Sequence, residues 1–216
     1  WTAYYLLKHD PSLRVVVVER EIAGFGASGR NGGWCYPGFP VSSGLLRERF
    51  GIEAARAVSR AMYDTVDEIE RVIGEEAIDA QWQRGGALRL ARGEHQRPAI
   101  EGAFQGLEAM GLAKGYQLLD AAQTAEKVRV TDAVASLFNP AGASIHPARL
   151  ARGLARAVER RGGTIYEQTP VIDYEGGVRP RLMTMRGDVW AKTIVLAGEA
   201  YGPELEKLRR TLVPMY

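Results

Sequence analysis

At 216 residues, with 46% hydrophobic and 25% charged side chains, the chain has the make-up of an ordinary globular protein with room for a sizeable core. Its 28 basic and 26 acidic residues give a formal net charge of +2 and are mixed along the sequence, which leaves no polyanion signal and argues against a nucleic-acid partner. A single cysteine, Cys35, excludes an internal disulfide, and neither a signal peptide nor an apolar run of roughly 20 residues is present, so a cytoplasmic protein without a membrane span is expected.

The opening stretch, WTAYYLLKHD, has no initiator Met and no Ser, Thr, Asp or Asn before its first turn. Trp1, Tyr4, Tyr5 and Leu7 recur at helical spacing, so the sequence is expected to start inside a helix, as part of a longer chain. Residues 9–12 read as a turn, with Pro11 opposing helical continuation. The run LRVVVV at 13–18 is β-branched and apolar, which predicts a strand buried on both faces, as in a parallel sheet. Five glycines in the twelve residues AGFGASGRNGGW predict an irregular loop. From 45 to 74 a helix is predicted, with Val58, Met62, Val66 and Ile69 as its apolar stripe.

Residues 86–91 alternate as a short strand, 98–110 suggest a helix, 116–119 a strand, 121–128 a short helix and 134–138 a further strand. This mixture suggests an α+β insertion. His146-Pro147 then opens a helix running to about Arg161, with Gly162-Gly163 as its stop. Strands follow at 164–167 and 171–174, and a hairpin is predicted from 181–185 and 188–190 around Arg186-Gly187. Residues 193–197 read as an apolar strand ending in Gly198, and LVPMY closes the sequence as an extended stretch.

Helix, turn, strand and terminal acid over residues 1–19 form the pattern of the second half of a βαβ unit. There an acid at the strand end accepts hydrogen bonds from ribose hydroxyls, and Glu19 holds that position. Taken alone, this is also the pattern of an ordinary solvated strand end. The loop adds Gly24, Gly26, Gly29, Gly32 and Gly33, which permit positive φ and close approach of backbone amides to an anion, together with Ser28, Arg30 and Asn31 as polar donors. Chemically it suits a pyrophosphate and a planar ring, and a flexible surface loop is the alternative.

The run GFGASGRNGG, following a strand and an acid, resembles the D-amino acid oxidase-like FAD-dependent oxidoreductases. Its ASGRNGG form is most similar to the γ-glutamylputrescine oxidase-like branch. GGALRLA at 85–91, GASIHPARLARGLARAVERRGGTIYEQTPV at 142–171 and TIVLAGEAYGPEL at 193–205 extend the resemblance in family order.

The resemblance implies an α/β fold with a Rossmann-like FAD-binding domain in two segments, 1–84 and 142–216, and an inserted α+β substrate-domain portion at 85–141. By position it places Glu19 and Arg20 near the adenosine ribose, and Ala27, Ser28, Arg30, Asn31, Gly32 and Gly33 along the pyrophosphate and flavin edge. Val171 offers its backbone to the adenine, and Ala197 and Gly198 let a strand end pass close to FAD.

The family's first-strand GxGxxG and its C-terminal portion are not in the sequence. A chain of this extent is therefore expected to hold FAD weakly and not to turn over alone. The implied reaction is oxidation of an amine or amino acid to an imine, with hydride passing to flavin N5 and dioxygen reoxidising the flavin to give hydrogen peroxide. The alternatives are a dehydrogenase that passes electrons to a quinone or carrier protein, and a nucleotide-binding module without turnover.

No side chain stands out as a catalytic base. His146 directly precedes Pro147 and reads more simply as a helix-start residue, and no His, Cys, Asp or Glu spacing resembles a metal site. Cys35 follows the loop, where a flavin thioether is conceivable but a small buried thiol is the simpler account. Trp34, Tyr36 and Phe39 could pack over a flavin or line a substrate entrance, and core packing explains them equally well. Arg149, Arg152, Arg156 and Arg160 share one helix face, read as solvated.

Overall fold

The computed structural model describes residues 1–211; the stretch LVPMY lies outside the described residues. In chain order the elements begin with α1 (Thr2–His9), β1 (Val16–Val18), α2 (Ala27–Arg30), β2 (Trp34–Cys35), α3 (Ser43–Phe50), α4 (Ile52–Glu75) and β3 (Ala87–Arg92). Next come α5 (Arg97–Ala109), β4 (Gln117–Asp120), α6 (Ala121–Lys127), β5 (Ala133–Asn139), β6 (Ala143–Ser144) and α7 (Pro147–Arg160). Four strands close the series: β7 (Thr164–Tyr166), β8 (Val171–Glu175), β9 (Arg181–Thr184) and β10 (Gly187–Trp190). Short 3₁₀ turns follow at Glu199–Glu204 and Glu206–Leu208. The chain divides into two compact units, one from Trp1–Ala27 with the chain from Leu154 onward, the other Ser28–Gly153.

In the first unit, the helical spacing of α1 buries Tyr4 and Leu7 completely or nearly so, beside Ala157 and Val158 of α7, which are also buried. Close packing there excludes a side chain at Gly163: a Cβ would stand 2.6 Å from a Val158 methyl and 2.9 Å from one of Leu7. After α1, the Asp10 carboxylate accepts from the Ser12 amide and hydroxyl at 3.0 and 2.6 Å, an Asx-type turn. β1 then pairs in parallel with β7, Val17 opposite Ile165. β8, β9 and β10 form an antiparallel sheet in the order β10-β9-β8.

In the second unit, β5 is the central strand of an antiparallel sheet, between β3 and β4. α5 covers it, with Ile100 buried against Ala91, Ala135 and Leu137 and with Phe104 and Leu107 packed alongside. α6 opens with a capping box: the Asp120 carboxylate accepts from the Gln123 amide at 2.8 Å, and the Gln123 side chain accepts from the Asp120 amide at 3.0 Å. A smaller core joins Cys35, Val66 and Ala143, flanked by Ile69, Trp82 and Ile145.

Five local expectations change. The helix expected over 45–74 is two, because Gly51 between α3 and α4 adopts φ 85°, ψ 167°, which no helix continues through. The strand expected over 13–18 is confined to β1, and Val16 is 42% exposed rather than buried on both faces. Among the described residues only β7 pairs with it.

The glycine-rich segment is not wholly irregular, since α2 is a helical turn within it. The hairpin turn falls on Met185-Arg186, with Gly187 already paired opposite Thr184. Finally, 193–197 forms no strand, and Val195 and Leu196 are 58% and 45% exposed. An apolar run becomes a strand only where another backbone supplies ladder partners, and none of the described strands does so here.

Candidate functional site

In the first unit the strand end carrying Glu19 is stitched to the segment after β7. Glu19 N–H donates to the Tyr166 carbonyl at 2.9 Å, Thr169 N–H to the Glu19 carbonyl at 2.9 Å, and Gln168 N–H to the Glu21 carbonyl at 2.8 Å. Ala23 N–H donates to the Glu167 carboxylate at 2.9 Å. Crossing between these hydrogen bonds holds Gln168 at φ 51°, an unusual conformation for a side-chain-bearing residue. One Glu19 carboxylate oxygen accepts from the Glu21 amide at 2.9 Å, which fixes the half-buried carboxylate in place and leaves its second oxygen for a ligand hydroxyl.

Arg20 is already engaged: its guanidinium pairs with Glu204 and lies 5.0 Å from the Tyr201 ring centroid. Gly26 sits under the same ring, where a Cβ would be 3.2 Å from a Tyr201 carbon. Val171 opens β8, an edge strand among the described residues, so one side of that backbone lacks a ladder partner. Ala197 and Gly198 end no strand; Gly198 instead begins the 3₁₀ turn Glu199–Glu204, with φ −78° and ψ −7°. The expected strand end at that position is corrected accordingly.

In the second unit Ser28, Arg30, Asn31 and Gly32 are exposed and Gly33 is buried, while Ala27 at the start of the turn is exposed in the first. Asn31 organises the loop, its amide nitrogen donating to the Ser28 carbonyl at 3.3 Å and its oxygen accepting from Gly33 N–H at 2.8 Å. Gly33 has φ 74°, its carbonyl accepts from Ile145 N–H at 2.9 Å, and a Cβ there would lie 2.4 Å from the Ile145 oxygen. β2 follows directly, paired with β6.

The two adjacent glycines differ. Fold and conformation both demand Gly33, whereas a Cβ on Gly32 would meet no atom within 4 Å and its φ is not positive. Nothing inside the unit demands a missing side chain at Gly32, and the backbone there is open to close approach. Of the five loop glycines, only Gly24 and Gly33 use positive φ. The exposed, side-chain-poor backbone with a hydroxyl, a guanidinium and an amide suits a dinucleotide's phosphates.

His146 is a helix-start residue, as expected: its carbonyl accepts from Leu150 N–H at 3.1 Å and its Nδ1 from Arg149 N–H at 3.4 Å. Cys35 is 8% exposed, and burial pushes its thiol above the usual range, partly offset by the Arg84 charge. That makes it a poor nucleophile for attachment to a flavin. Trp34 is 89% exposed beside the loop.

Sequence reasoning missed a polar cluster in the same unit. The Asn139 amide, 2% exposed, donates to the hydroxyls of Tyr63 at 3.0 Å and Tyr36 at 3.4 Å, and the Tyr36 and Tyr116 hydroxyls lie 3.4 Å apart. Burial first, with the neighbouring hydroxyls, holds Tyr116 far above the usual phenol range. Burial likewise raises Tyr63.

A family model described as FAD dependent oxidoreductase (DAO) matches residues 1–216. Gamma-glutamylputrescine oxidoreductase of Escherichia coli (strain K12) is 32% identical over 198 residues, covering 89% of this chain and 46% of that protein. The probable oxidoreductase OrdL of Haemophilus influenzae is 27% identical over 208 residues, covering 94% and 48%. Among solved structures, glycine oxidase from Geobacillus kaustophilus superposes with a TM-score of 0.68 at 22% identity, over 90% of this chain and 50% of that one, a likeness of fold. The chain spans about half the length of the curated relatives it matches.

Proposed function

This chain belongs to the FAD-dependent oxidoreductase family, and on that premise we propose that the whole protein oxidises the C–N bond of a small amine or amino acid. The observation that carries the reading is the exposed loop Ser28 to Gly32, pinned by Asn31 and Gly33, in which Gly32 lacks a side chain for no internal reason. Likeness to a protein named for oxidising γ-glutamylputrescine points the substrate class toward amines.

FAD is the family's cofactor, and the residues proposed to hold it are named unit by unit. In the first, Glu19 accepts from a ribose hydroxyl through its uncommitted oxygen, Arg20 lies on the adenosine side, and Val171 offers its N–H and C=O to the adenine. Ala197 and Gly198 keep the backbone accessible to the cofactor there, and Ala27 belongs with the residues of the pyrophosphate and flavin edge. In the second, Ser28, Arg30, Asn31, Gly32 and Gly33 serve the pyrophosphate and the flavin edge. We assign 1–84 and 142–216 to the cofactor and 85–141 to the substrate side.

Bound FAD would supply a two-electron acceptor at flavin N5 for the hydride of the α C–H; the imine left would be hydrolysed by water to a carbonyl compound and ammonia or an amine, and dioxygen would take up the two electrons as hydrogen peroxide. The protein's own part is to orient an uncharged amine and exclude water, which requires no side-chain base. The single cysteine accords with a reducing, cytoplasmic setting, and no helix among the described residues is long and apolar enough to cross a membrane.

Anaerobic mixing of the full-length protein with amines and amino acids is expected to bleach the flavin absorbance. Bleaching by a hydroxy acid and by no amine overturns the reading. In air the same mixture is expected to yield hydrogen peroxide, and turnover only with an added quinone would identify a dehydrogenase instead.

A further inference from the structure

Glu19 and Arg20 follow β1 side by side, and a nucleotide ribose meets them in opposite ways. A carboxylate at such a strand end accepts from free ribose hydroxyls, whereas an arginine there accommodates a ribose phosphate. Which nucleotide is favoured therefore depends on whether the arginine is at liberty. In the first unit it is not. Its Nη1 pairs with Glu204, its Nε lies 3.8 Å from a Glu21 carboxylate oxygen, and its Cζ stands 5.0 Å from the Tyr201 ring centroid.

Local structure accounts for this convergence. Tyr201 and Glu204 belong to the 3₁₀ turn Glu199–Glu204, and in a 3₁₀ helix the side chains at i and i+3 lie one above the other. Ring and carboxylate thus reach the same guanidinium, and the missing side chain at Gly26 leaves room for the ring. The turn has anchors other than Arg20. Leu205 N–H donates to the Gly202 carbonyl at 3.0 Å. In the next turn the Lys207 ammonium lies 2.9 Å from a carboxylate oxygen of Asp173 in β8 and donates to the Tyr174 carbonyl.

We infer that Glu204, assisted by Tyr201, is a positioning residue that engages the Arg20 guanidinium and so reserves this strand end for an adenine nucleotide with free ribose hydroxyls, against one that carries a ribose phosphate. The inference rests on the adenosine placement beside Glu19 proposed above and deepens it. The carboxylates of Glu19, Glu21 and Glu204 gathered about one guanidinium also oppose a further dianion.

The test is competition of ADP and of 2′-phospho-ADP, which differ only in the ribose phosphate, against FAD on the full-length apoprotein, followed by flavin fluorescence. The wild type is expected to favour ADP. Glu204→Gln releases the guanidinium and is expected to improve 2′-phospho-ADP binding about ten-fold relative to ADP, the scale of one hydrogen bond to a charged group. Tyr201→Leu is expected to move the ratio in the same direction, and melting curves verify the folding of both variants. In an Arg20→Gln background the gain from Glu204→Gln is expected to vanish.

An unchanged ratio in both folded variants overturns the inference. So does an equal gain in the Arg20→Gln background, which would reduce Glu204 to a bare charge. If ADP displaces FAD but the ratio never moves, the adenosine placement stands and only the role of Glu204 falls. If FAD binds and neither nucleotide displaces it, both fall.

Discussion

At Gly33 a side chain is excluded twice, by a φ of 74° and by the Ile145 carbonyl at 2.4 Å from any Cβ, while at Gly32 it is excluded by neither. Gly33→Ala is therefore expected to cost about 2–4 kcal/mol of stability, combining backbone strain with overpacking. Gly32→Ala should leave the melting temperature of the apoprotein unchanged while weakening FAD retention, measured by fluorescence on titration. Equal melting losses in both variants would contradict the distinction.

The neighbouring Cys35 yields a second residue-scale expectation. Its folded thiol is raised above the ordinary range, so the stability linked to the neutral form is present below the unfolded pKa and lost as pH rises through the folded value. A thiol reagent at pH 8 should react only as fast as the protein opens, and denaturation should release the flavin intact. Rapid labelling of the native protein would show Cys35 to be accessible as thiolate.

Among the elements, α6 makes the cleanest test because a single side chain starts it. Asp120→Ala removes the carboxylate half of the capping box, leaving the backbone amide of residue 120 with the Gln123 side chain, and is expected to lower stability by about 1 kcal/mol in a thermal melt, with Asp120→Asn recovering most of it. The same element explains what the sequence made legible. Where ends are marked by local chemistry, as by Asp120 with Gln123, or by His146-Pro147 and Gly162-Gly163 around α7, the expected element lies within a residue or two of the observed one. Residues 193–197 are the counter-case, since hydrophobicity specifies that a segment can be a strand but not which backbone pairs with it. Gly51 was overlooked because one glycine inside an amphipathic run is compatible with both a continuous helix and a break.

Across the whole molecule, what can be read in advance depends on how far apart the cooperating residues lie. The loop from Ser28 to Gly33 is local and its glycine density announces it, although which glycines use positive φ does not follow from density. The tyrosine cluster spans positions 36 to 139, and no spacing rule links its members. Only the fold, which brings Tyr63 of α4 to Asn139 at the end of β5, reveals the clustered hydroxyls.

Distance along the chain also orders events in time. All contacts that define Ser28–Gly153 are complete once residue 153 has been made, whereas Val17 finds Ile165, and Glu19 finds Tyr166 and Thr169, only after those residues exist. During synthesis the pairing of β1 with β7 must wait until the intervening unit has been translated. The β1–β7 ladder is therefore a late step of folding on the ribosome, set by the length of chain that lies between its two strands.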